Sequence, residues 1–352
     1  MMLFKQKKDV IGIDIGSSSV KLVQLREAKG GYHLVTLGMS LLPPEAIVDN
    51  AIMDSQTIIE VLQNLVESLK VKTKNVATSV SGHSVIIRKI QLPIMTEEEM
   101  EASIQWEAEQ YIPFEISEVN LDFQILGGDP NDASQMDVIL VAAKKDFVSD
   151  YVSMLRECGF NPVIMDIDCF SVQNVFESNY GIEAEIVALI DMGASSMNVN
   201  ILKDGMSVFT RDIQVGGSAY NEEIQKRLGL NHEDAEKVKL GEEVDDVDPQ
   251  TVAAILDDAT DALTQEVQRS IDFFSATSSD EKVGKVYITG GVAKIAAVRE
   301  SLANRLNVDV EVMDPWRQIG YSEKDFDPEY LQAVGPVFTV AAGLAMRRMG
   351  DK

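Results

Sequence analysis

The feature that most constrains the fold is a motif that occurs once in each half of the chain. The first copy is VIGIDIGSSSVKLVQL and the second is VALIDMGASSMNVNIL: an apolar strand, Asp-x-Gly, small hydroxyl residues and a second apolar strand. One such hairpin is ordinary, because Asp and Gly populate turns in any fold. Two copies in a chain of 352 residues, enough for about two domains, predict a duplicated α/β fold with a site between the copies.

Charge and hydropathy exclude several classes of protein. Asp and Glu (57) outnumber Lys and Arg (31), and the net charge of −26 is expected to repel nucleic acid and anionic lipid. No apolar run approaches the ~18–20 residues of a membrane span. The basic N-terminus, with Lys5, Lys7 and Lys8, lacks the apolar stretch of a secretory signal. Cys158 and Cys169 provide neither a disulfide framework nor a four-ligand zinc site, and we expect a cytoplasmic protein.

The two hairpin turns have the composition of a phosphate site. Glycine lets backbone N–H groups approach a ligand with no β-carbon in the way, and clustered amides bind phosphate oxygens, with serine hydroxyls as further donors. Asp14 and Asp191 precede the turns, and Mg²⁺ usually takes one or two carboxylates and keeps several waters. Lys21 lies on the outgoing strand of the first hairpin, where it faces either the phosphates or solvent.

Two Gly-Gly pairs in the second half have two interpretations each. Gly290-Gly291, after a predicted strand, allows a flat adenine ring to lie against the backbone, and it equally suits a tight strand-to-helix turn. Gly216-Gly217 is open to the same two interpretations. Two phosphate hairpins and a glycine platform together predict a nucleotide held between lobes that close over it.

Taken together, these motifs resemble the actin/Hsp70/hexokinase ATPases. GIDIGSSSVKL is similar to the first phosphate motif of that superfamily, IDMGASSMNV to the second and VYITGGVAKI to the adenosine motif, in the same order over almost the whole chain. The helix with Gln173 resembles the first connecting helix, and GPVFTVAAGLAM resembles the second. The stretch EAEQYIPF, within TEEEMEASIQWEAEQYIPFEISEVNLDF, is similar to the signature of the PilM family of actin-like pilus-assembly proteins, relatives of the FtsA cell-division family.

The resemblance implies a two-lobed actin-like ATPase (ribonuclease H-like) fold with an FtsA-like inserted α/β subdomain, of the type called SHS2. The implied units are 9–84, 165–184 and 335–350 for the core of the first lobe, 85–164 for the inserted subdomain, 185–218 and 282–334 for the core of the second lobe, and 219–281 for its outer subdomain.

The resemblance also implies ATP and Mg²⁺ as cofactors, with Asp14 and Asp191 contacting Mg²⁺ through water. The residues that it places around the nucleotide are Gly16, Ser17, Ser18 and Lys21; Gly193, Ala194, Ser195 and Ser196; Gly216 and Gly217; Glu236 and Lys239 near ribose and adenine; and Gly290, Gly291 and Lys294. Taken alone, Glu236 and Lys239 are typical of a surface helix with charges three residues apart.

Hydrolysis is expected to be slow or absent. Actin has a second Asp three residues after its counterpart of Asp191, and this chain has Ala194 there. Gln173 lies near the water-orienting glutamine of actin, and a glutamine orients a water but does not take its proton. A strand is predicted over 163–168 and a helix over 170–180, and we expect no acid–base aspartate at a strand end besides Asp14 and Asp191. A sugar or acetate kinase, one functional alternative within this superfamily, is therefore disfavoured.

The PilM resemblance implies an ATP-binding scaffold of the type IV pilus assembly (inner-membrane alignment) complex, at the inner membrane through its partner and active in twitching motility. The implied partner is the N-terminal cytoplasmic tail of PilN, with other pilus-machine proteins in addition. An extended apolar peptide in a groove gains main-chain bonds and side-chain pockets. The residues expected to shape a groove beside the inserted subdomain are Trp106, Tyr111, Ile112, Pro113 and Phe114. For each aromatic, the core of that subdomain is the alternative.

The second functional alternative is an FtsA-like cell-division protein that forms membrane-associated filaments. FtsA-like proteins continue beyond the second connecting helix into a linker and an amphipathic membrane helix. The sequence here ends at MRRMGDK, so we expect this alternative to fit less well than the pilus scaffold.

Overall fold

A computed structural model describes most of the chain. The described ranges are 10–28, 30–128, 132–245, 247–278 and 281–351. The N-terminal lysines discussed above, Lys5, Lys7 and Lys8, lie outside them.

Strands and helices alternate through the chain. The strands are β1 (Ile11–Ile15), β2 (Ser19–Ala28), β3 (Gly31–Leu41), β4 (Ile47–Val48), β5 (Ala51–Ile52), β6 (Asn75–Val80), β7 (Val85–Pro93), β8 (Val119–Gly128), β9 (Gln135–Lys144), β10 (Asn161–Ile167), β11 (Val187–Met192), β12 (Met197–Lys203), β13 (Met206–Ile213), β14 (Lys285–Thr289) and β15 (Asp309–Val312). The helices are α1 (Ser55–Ser68), α2 (Glu97–Ala108), α3 (Lys145–Glu157), α4 (Asp168–Tyr180), α5 (Ser218–Leu228), α6 (His232–Lys239), α7 (Pro249–Thr277), α8 (Ala296–Leu306), α9 (Pro328–Val334) and α10 (Thr339–Met346).

Two five-stranded sheets repeat one topology. Their strand orders are β10-β6-β1-β2-β3 and β13-β12-β11-β14-β15. In each sheet the first hairpin strand pairs antiparallel with its hairpin partner and parallel with the strand on its other side. Asp14 stands opposite Lys21, and Asp191 stands opposite Asn198, at equivalent positions of the two hairpins. The duplicated α/β fold that the repeated motif predicts is confirmed.

A third sheet, of order β7-β9-β8, lies between β6 and β10 in the chain, and helix α2 packs on it. The Thr96–Glu99 capping box starts that helix: the Thr96 N–H donates to Glu99 Oε2 at 2.8 Å, and the Glu99 N–H donates to Thr96 Oγ1 at 3.3 Å. Ile90, Met100 and Leu140 form part of a separate core there. The domain ranges given above remain predictions.

Helices α4 and α10 cross with backbone against backbone. A β-carbon on Gly343 would overlap the carbonyl oxygen of Ser171, and one on Gly12 in β1 would overlap that of Ala341. Every residue of α10 is buried. Through these contacts α10 fixes the first residue of α4 relative to the strand that carries Asp14.

Local geometry departs from the sequence-based expectations in three places. The hairpin of β4 and β5 was not expected; Asp49 and Asn50, at φ 50° and 64°, form its tight turn, which needs two residues that tolerate positive φ. Residues 335–346, predicted as one helix, divide into a 3₁₀ turn over Gly335–Phe338 and α10. Helix α9 was not expected either.

Within the described ranges, none of the helices has the length and apolar character needed to cross a bilayer.

We expect Gly343→Ala to lower the free energy of unfolding by more than about 2 kcal/mol, because the added methyl group overpacks the α4–α10 crossing. At an open helical position the same change would be stabilising by about 1 kcal/mol, so the sign of the effect is diagnostic. Gly128→Ala is the matched control, since its β-carbon would meet only the Gln135 carbonyl oxygen, at 3.9 Å. Urea unfolding measures both; a stabilised Gly343 variant would contradict the close crossing.

Candidate functional site

The two Asp-x-Gly hairpins present their turns to each other. The turn at 16–19 closes with a hydrogen bond of 3.1 Å from its first N–H to its last carbonyl, and the turn at 193–196 closes the same way at 3.0 Å. The Ser195 hydroxyl donates to Ser17 Oγ at 2.5 Å. The tips of the two turns, one from each five-stranded sheet, are therefore in direct contact.

Lys21 faces the first turn and not solvent. Its ammonium lies 3.0 Å from a carboxylate oxygen of Asp14, and the two side chains are only 11% and 13% exposed. A β-carbon on Gly16 would lie 3.1 Å from Lys21 Nζ, so the ammonium lies directly against the turn. This placement answers the question that the sequence left open for Lys21.

Asp168 is the acidic residue that the sequence analysis missed. It follows β10 directly and begins α4, at the edge where the carboxyl ends of the parallel strands β1, β6 and β10 meet. The hydroxyls of Ser79 and Ser81, at the end of β6, hydrogen-bond its carboxylate. The expectation of no further aspartate at a strand end is therefore wrong. The signal was available, because Asp168 is the last residue of the strand predicted over 163–168.

Burial and mutual repulsion keep the carboxyl groups of Asp168 and Asp191 partly protonated near neutral pH. Burial, followed by the charges of Asp168 and Asp14, raises the pKa of Asp191 to about 7, although Lys21 opposes the rise. Burial, followed by the charge of Asp14, raises the pKa of Asp168 to about 6, and Asp212 adds to it. The site has too few positive charges for its carboxylates, so a bound cation would stabilise their ionised forms.

The oxygen donors of the site fit a partly hydrated Mg²⁺. Among the residues that the structure describes, no three Asp, Glu, His or Cys side chains lie close enough together to hold a metal by themselves. Mg²⁺ does not require such a cluster, because it retains waters and takes phosphate oxygens together with one or two carboxylates. Asp14, Asp168 and Asp191 supply hard oxygen donors whose repulsion a divalent cation would relieve.

Gly290 is glycine because the backbone of the second hairpin passes close to it. Its φ is +85°, and a β-carbon there would overlap the Met192 carbonyl oxygen and lie 2.6 Å from Asp191 Oδ1. At Gly291, by contrast, a β-carbon would meet nothing within 4 Å. The first glycine thus positions Asp191, and the second leaves open space beside it, as a platform under a base requires.

Gly216 and Gly217 support the second turn from behind. A β-carbon on Gly216 would lie 2.6 Å from the carbonyl oxygens of Gly193 and Ala194. The Gly217 N–H donates to the Gly193 carbonyl at 2.9 Å, and the Ser218 N–H donates to that of Ala194 at 2.7 Å. Of the two interpretations of this pair, close packing is the one that these contacts favour, and direct contact with nucleotide remains a prediction.

Glu236 and Lys239 pair with each other on α6 at 2.5 Å, and Asn221 of α5 donates to the same carboxylate oxygen at 2.6 Å. Burial opposes ionisation of Glu236, but the hydrogen bonds from Lys239 and Asn221 outweigh it and lower the pKa of the carboxyl group. Lys294 ends the 3₁₀ turn Val292–Lys294 and is exposed. The roles of these residues toward ribose and adenine remain predictions.

Gln173 lies away from the turn tips. Its Nε2 donates to the Gly205 carbonyl at 3.1 Å and to Glu177 at 2.8 Å, and its Oε1 accepts from Asn200 at 3.2 Å. Gly205 belongs to the β12–β13 turn, at the opposite end of β12 from residues 193–196. The Gln173 amide is hydrogen-bonded along β12, and its water-positioning role remains a prediction.

The predicted partner-groove residues differ in exposure. Trp106 on α2 is 79% exposed, so the core alternative does not apply to it, whereas Ile112 is 7% exposed and belongs to the core of the third sheet. Tyr111 and Phe114 pack partly against that core, and the Lys144 ammonium lies 4.5 Å from the centroid of the Phe114 ring. Pro113 is exposed. The groove itself remains a prediction.

Comparison with known proteins identifies one family. The family model described as type IV pilus assembly protein PilM matches residues 12–349. A solved structure described as a PilM-PilN type IV pilus biogenesis complex superposes with a TM-score of 0.86 at 29% identity, covering 96% of this chain and 98% of that one. The actin-like fold and the resemblance to the PilM family are confirmed.

More distant relatives share the fold. The cell division protein FtsA of Staphylococcus epidermidis is 22% identical, over 97% of this chain and 80% of that protein. MreB 5 of Spiroplasma citri, solved bound to AMPPNP, superposes with a TM-score of 0.52 at 13% identity, covering 96% of this chain and 94% of that one. The ethanolamine utilization protein EutJ of Carboxydothermus hydrogenoformans superposes with a TM-score of 0.59 at 15% identity, covering 96% of this chain and 89% of that one.

We expect Asp191→Asn to stabilise the protein without nucleotide, increasingly so as the pH rises. The raised pKa means that the folded protein binds a proton that the unfolded chain has already lost, so stability falls from pH 4 to about pH 7. An amide removes this loss, which is on the order of 4 kcal/mol at pH 8. Thermal unfolding between pH 5 and 8 measures it, with exposed Asp257→Asn as control. A gain independent of pH would contradict the expectation.

Proposed function

Because the chain belongs to the type IV pilus assembly protein PilM family, we propose that it is an ATP-binding scaffold of the type IV pilus assembly complex. It works on the cytoplasmic side of the inner membrane, which it reaches through a membrane-bound partner. The observation that carries the nucleotide part is the contact of the two turns at Ser17 and Ser195, surrounded by Asp14, Asp168 and Asp191.

The residues around the turns divide the work of binding Mg²⁺ and ATP. The Lys21 ammonium and the serine hydroxyls donate to phosphate oxygens, and hydrogen bonds to charged groups are the strong ones. Asp14 and Asp191 would hold Mg²⁺, whose charge would offset that of the carboxylates and of the phosphates. Gly291 leaves space for the base. The AMPPNP bound to MreB 5 of Spiroplasma citri supports a nucleotide in this fold.

We infer that hydrolysis is slow, so that nucleotide acts as a switch. Ala194 offers no carboxylate beside the second turn, and the Gln173 amide is engaged along β12. Asp168 is the remaining candidate for a general base, but its carboxylate already accepts hydrogen bonds from Ser79 and Ser81. A general base must be free to accept the proton of the attacking water, and these bonds compete with that role.

The partner that we propose is the N-terminal cytoplasmic tail of a PilN protein. The similar solved structure is a PilM-PilN complex, and α2 presents Trp106, a large exposed aromatic side chain, from the third sheet. Trp and Tyr are the residues that most often dominate binding energy at interfaces. We retain Tyr111, Pro113 and Phe114 as groove residues and assign Ile112 to the supporting core.

We expect Lys21→Met and Asp14→Ala each to weaken Mg·ATP binding by at least about tenfold, since each loses a charge-assisted contact worth roughly 1.5–3 kcal/mol. Isothermal titration calorimetry measures the affinities. Lys89→Met is the matched control, because Lys89 also pairs with an aspartate, Asp137 at 2.9 Å, but in the third sheet. Equal affinities for all variants and the unsubstituted protein would refute the assignment of the site.

We expect Trp106→Ala to weaken binding of a PilN N-terminal peptide by about thirtyfold, the effect of losing a hot-spot contact of roughly 2 kcal/mol. Fluorescence anisotropy with a labelled peptide gives the affinities. Leu240→Ala, an equally exposed apolar residue at 65% in the second lobe, should bind normally. If both variants bind as well as the unsubstituted protein, α2 is not part of the groove.

A further inference from the structure

A row of polar side chains crosses the second sheet from the site to the sheet edge. Asp191 stands opposite Asn198, and Asn198 stands opposite Asp212 in the edge strand β13. Directly opposed residues project from the same face of a sheet. The Asn198 amide donates to Asp212 Oδ1 at 2.6 Å. The sheet thus links the second carboxylate of the site to a further carboxylate at its edge.

The second oxygen of Asp212 reaches the first lobe. Asp212 Oδ2 accepts the N–H of Gly82 at 3.1 Å. Gly82 lies in the connection between β6 and β7 with φ +86°, and a β-carbon there would overlap the Asn50 side-chain amide. The Val85 N–H, at the start of β7, donates to the Gly82 carbonyl at 2.9 Å. One peptide segment is therefore tied to the second lobe by its N–H and to the third sheet by its carbonyl.

The β6–β7 connection also lies between Asp168 of the site and strand β9 of the third sheet. Ser79 and Ser81, just before Gly82, hydrogen-bond Asp168. Just after it, the Ser84 carbonyl accepts the N–H of Lys144 at the end of β9, at 3.0 Å. Strand β13 itself contacts β7. Residues 79–84 therefore connect the carboxylates around the turns to the sheet that carries α2.

We propose that the hydrogen bond from the Gly82 N–H to Asp212 is a latch that transmits closure of the two lobes to the third sheet. Closure brings β13 and the β6–β7 connection together, and the latch then fixes β7 in one position. Opening breaks the bond and releases β7. Asp212 is a positioning residue in this scheme and does not contact nucleotide. The inference rests on the proposed function, because nucleotide is the ligand that closes the lobes.

A hydrogen bond between the lobes can couple lobe closure to the position of β7, because such a bond is either formed or broken. A hydrogen bond to a carboxylate is stronger than one between neutral groups, and the Asn198 bond holds the carboxylate in position for Gly82. Energetic coupling between sites requires an element with two arrangements that both sites bias. In the proposal the bond from Gly82 to Asp212 is that element: it spans the lobes next to β7, is formed in this structure and breaks when the lobes open.

The test is backbone hydrogen exchange of Asp212→Asn with and without Mg²⁺ and a non-hydrolysable ATP analogue. Asparagine has nearly the same shape as aspartate but is neutral, and one of the two oxygens becomes an NH₂ donor, so the bond from Gly82 is lost or loses its charge assistance. We expect nucleotide to slow exchange at Gly82 and through β7 by about tenfold in the unsubstituted protein, the effect of one charge-assisted hydrogen bond. In the variant this slowing should disappear and, because coupling between two sites is reciprocal, nucleotide affinity should fall by no more than about the same tenfold factor. Arg211→Gln, exposed on the same strand, should behave as the unsubstituted protein.

The outcomes separate the latch from the nucleotide site. Nucleotide binding with equal protection of β7 in Asp212→Asn and the unsubstituted protein overturns the latch alone. No nucleotide binding to the unsubstituted protein overturns the proposed function and the latch together. If the variant does not fold, exchange at Gly82 in the unsubstituted protein decides: slowing by nucleotide supports the latch, and an unchanged rate overturns it.

Discussion

Repulsion among largely buried carboxylates around two touching turns is the constraint on which the rest of the structure depends. Asp14, Asp168 and Asp191 converge there with Lys21 beside them. Such an arrangement costs folding free energy, because burial disfavours the charged form and like charges disfavour it further. Proteins keep a costly cluster of this kind where function needs it. In the proposed function, that need is a place for a cation and phosphates.

The fold supplies the convergence through close backbone contacts. Gly12, Gly290 and Gly343 each stand where a β-carbon would overlap a neighbouring carbonyl, so strands, helices and turns approach more closely than side chains normally allow. Because interiors are densely packed, such contacts transmit displacements without much compression. The hairpins are therefore presented by a stiff frame, and motion is left to the contacts that cross between the lobes.

Among the hydrogen bonds that cross between the lobes, two close to the site have different consequences. Ser195 and Ser17 join the turn tips themselves, where phosphate oxygens would offer competing acceptors. Asp212 joins β13 to the β6–β7 connection, outside the nucleotide contacts. If hydrolysis is slow, as proposed, the bound state lasts long enough for a partner to sense it at the third sheet.

The sequence alone determined the duplicated hairpins, the actin-like fold, the family and the acids Asp14 and Asp191, because strand periodicity and turn composition are local properties of the chain. It overlooked Asp168, although that residue closes a predicted strand. Which strand ends lie side by side is decided by the order of strands in the sheet. Strand β10 pairs with β6, although all strands of the third sheet lie between them in the sequence. The direction of Lys21, the exposure of Trp106 and the bond of Asp212 to Gly82 were likewise decided by tertiary structure, because each depends on neighbours far away in the sequence.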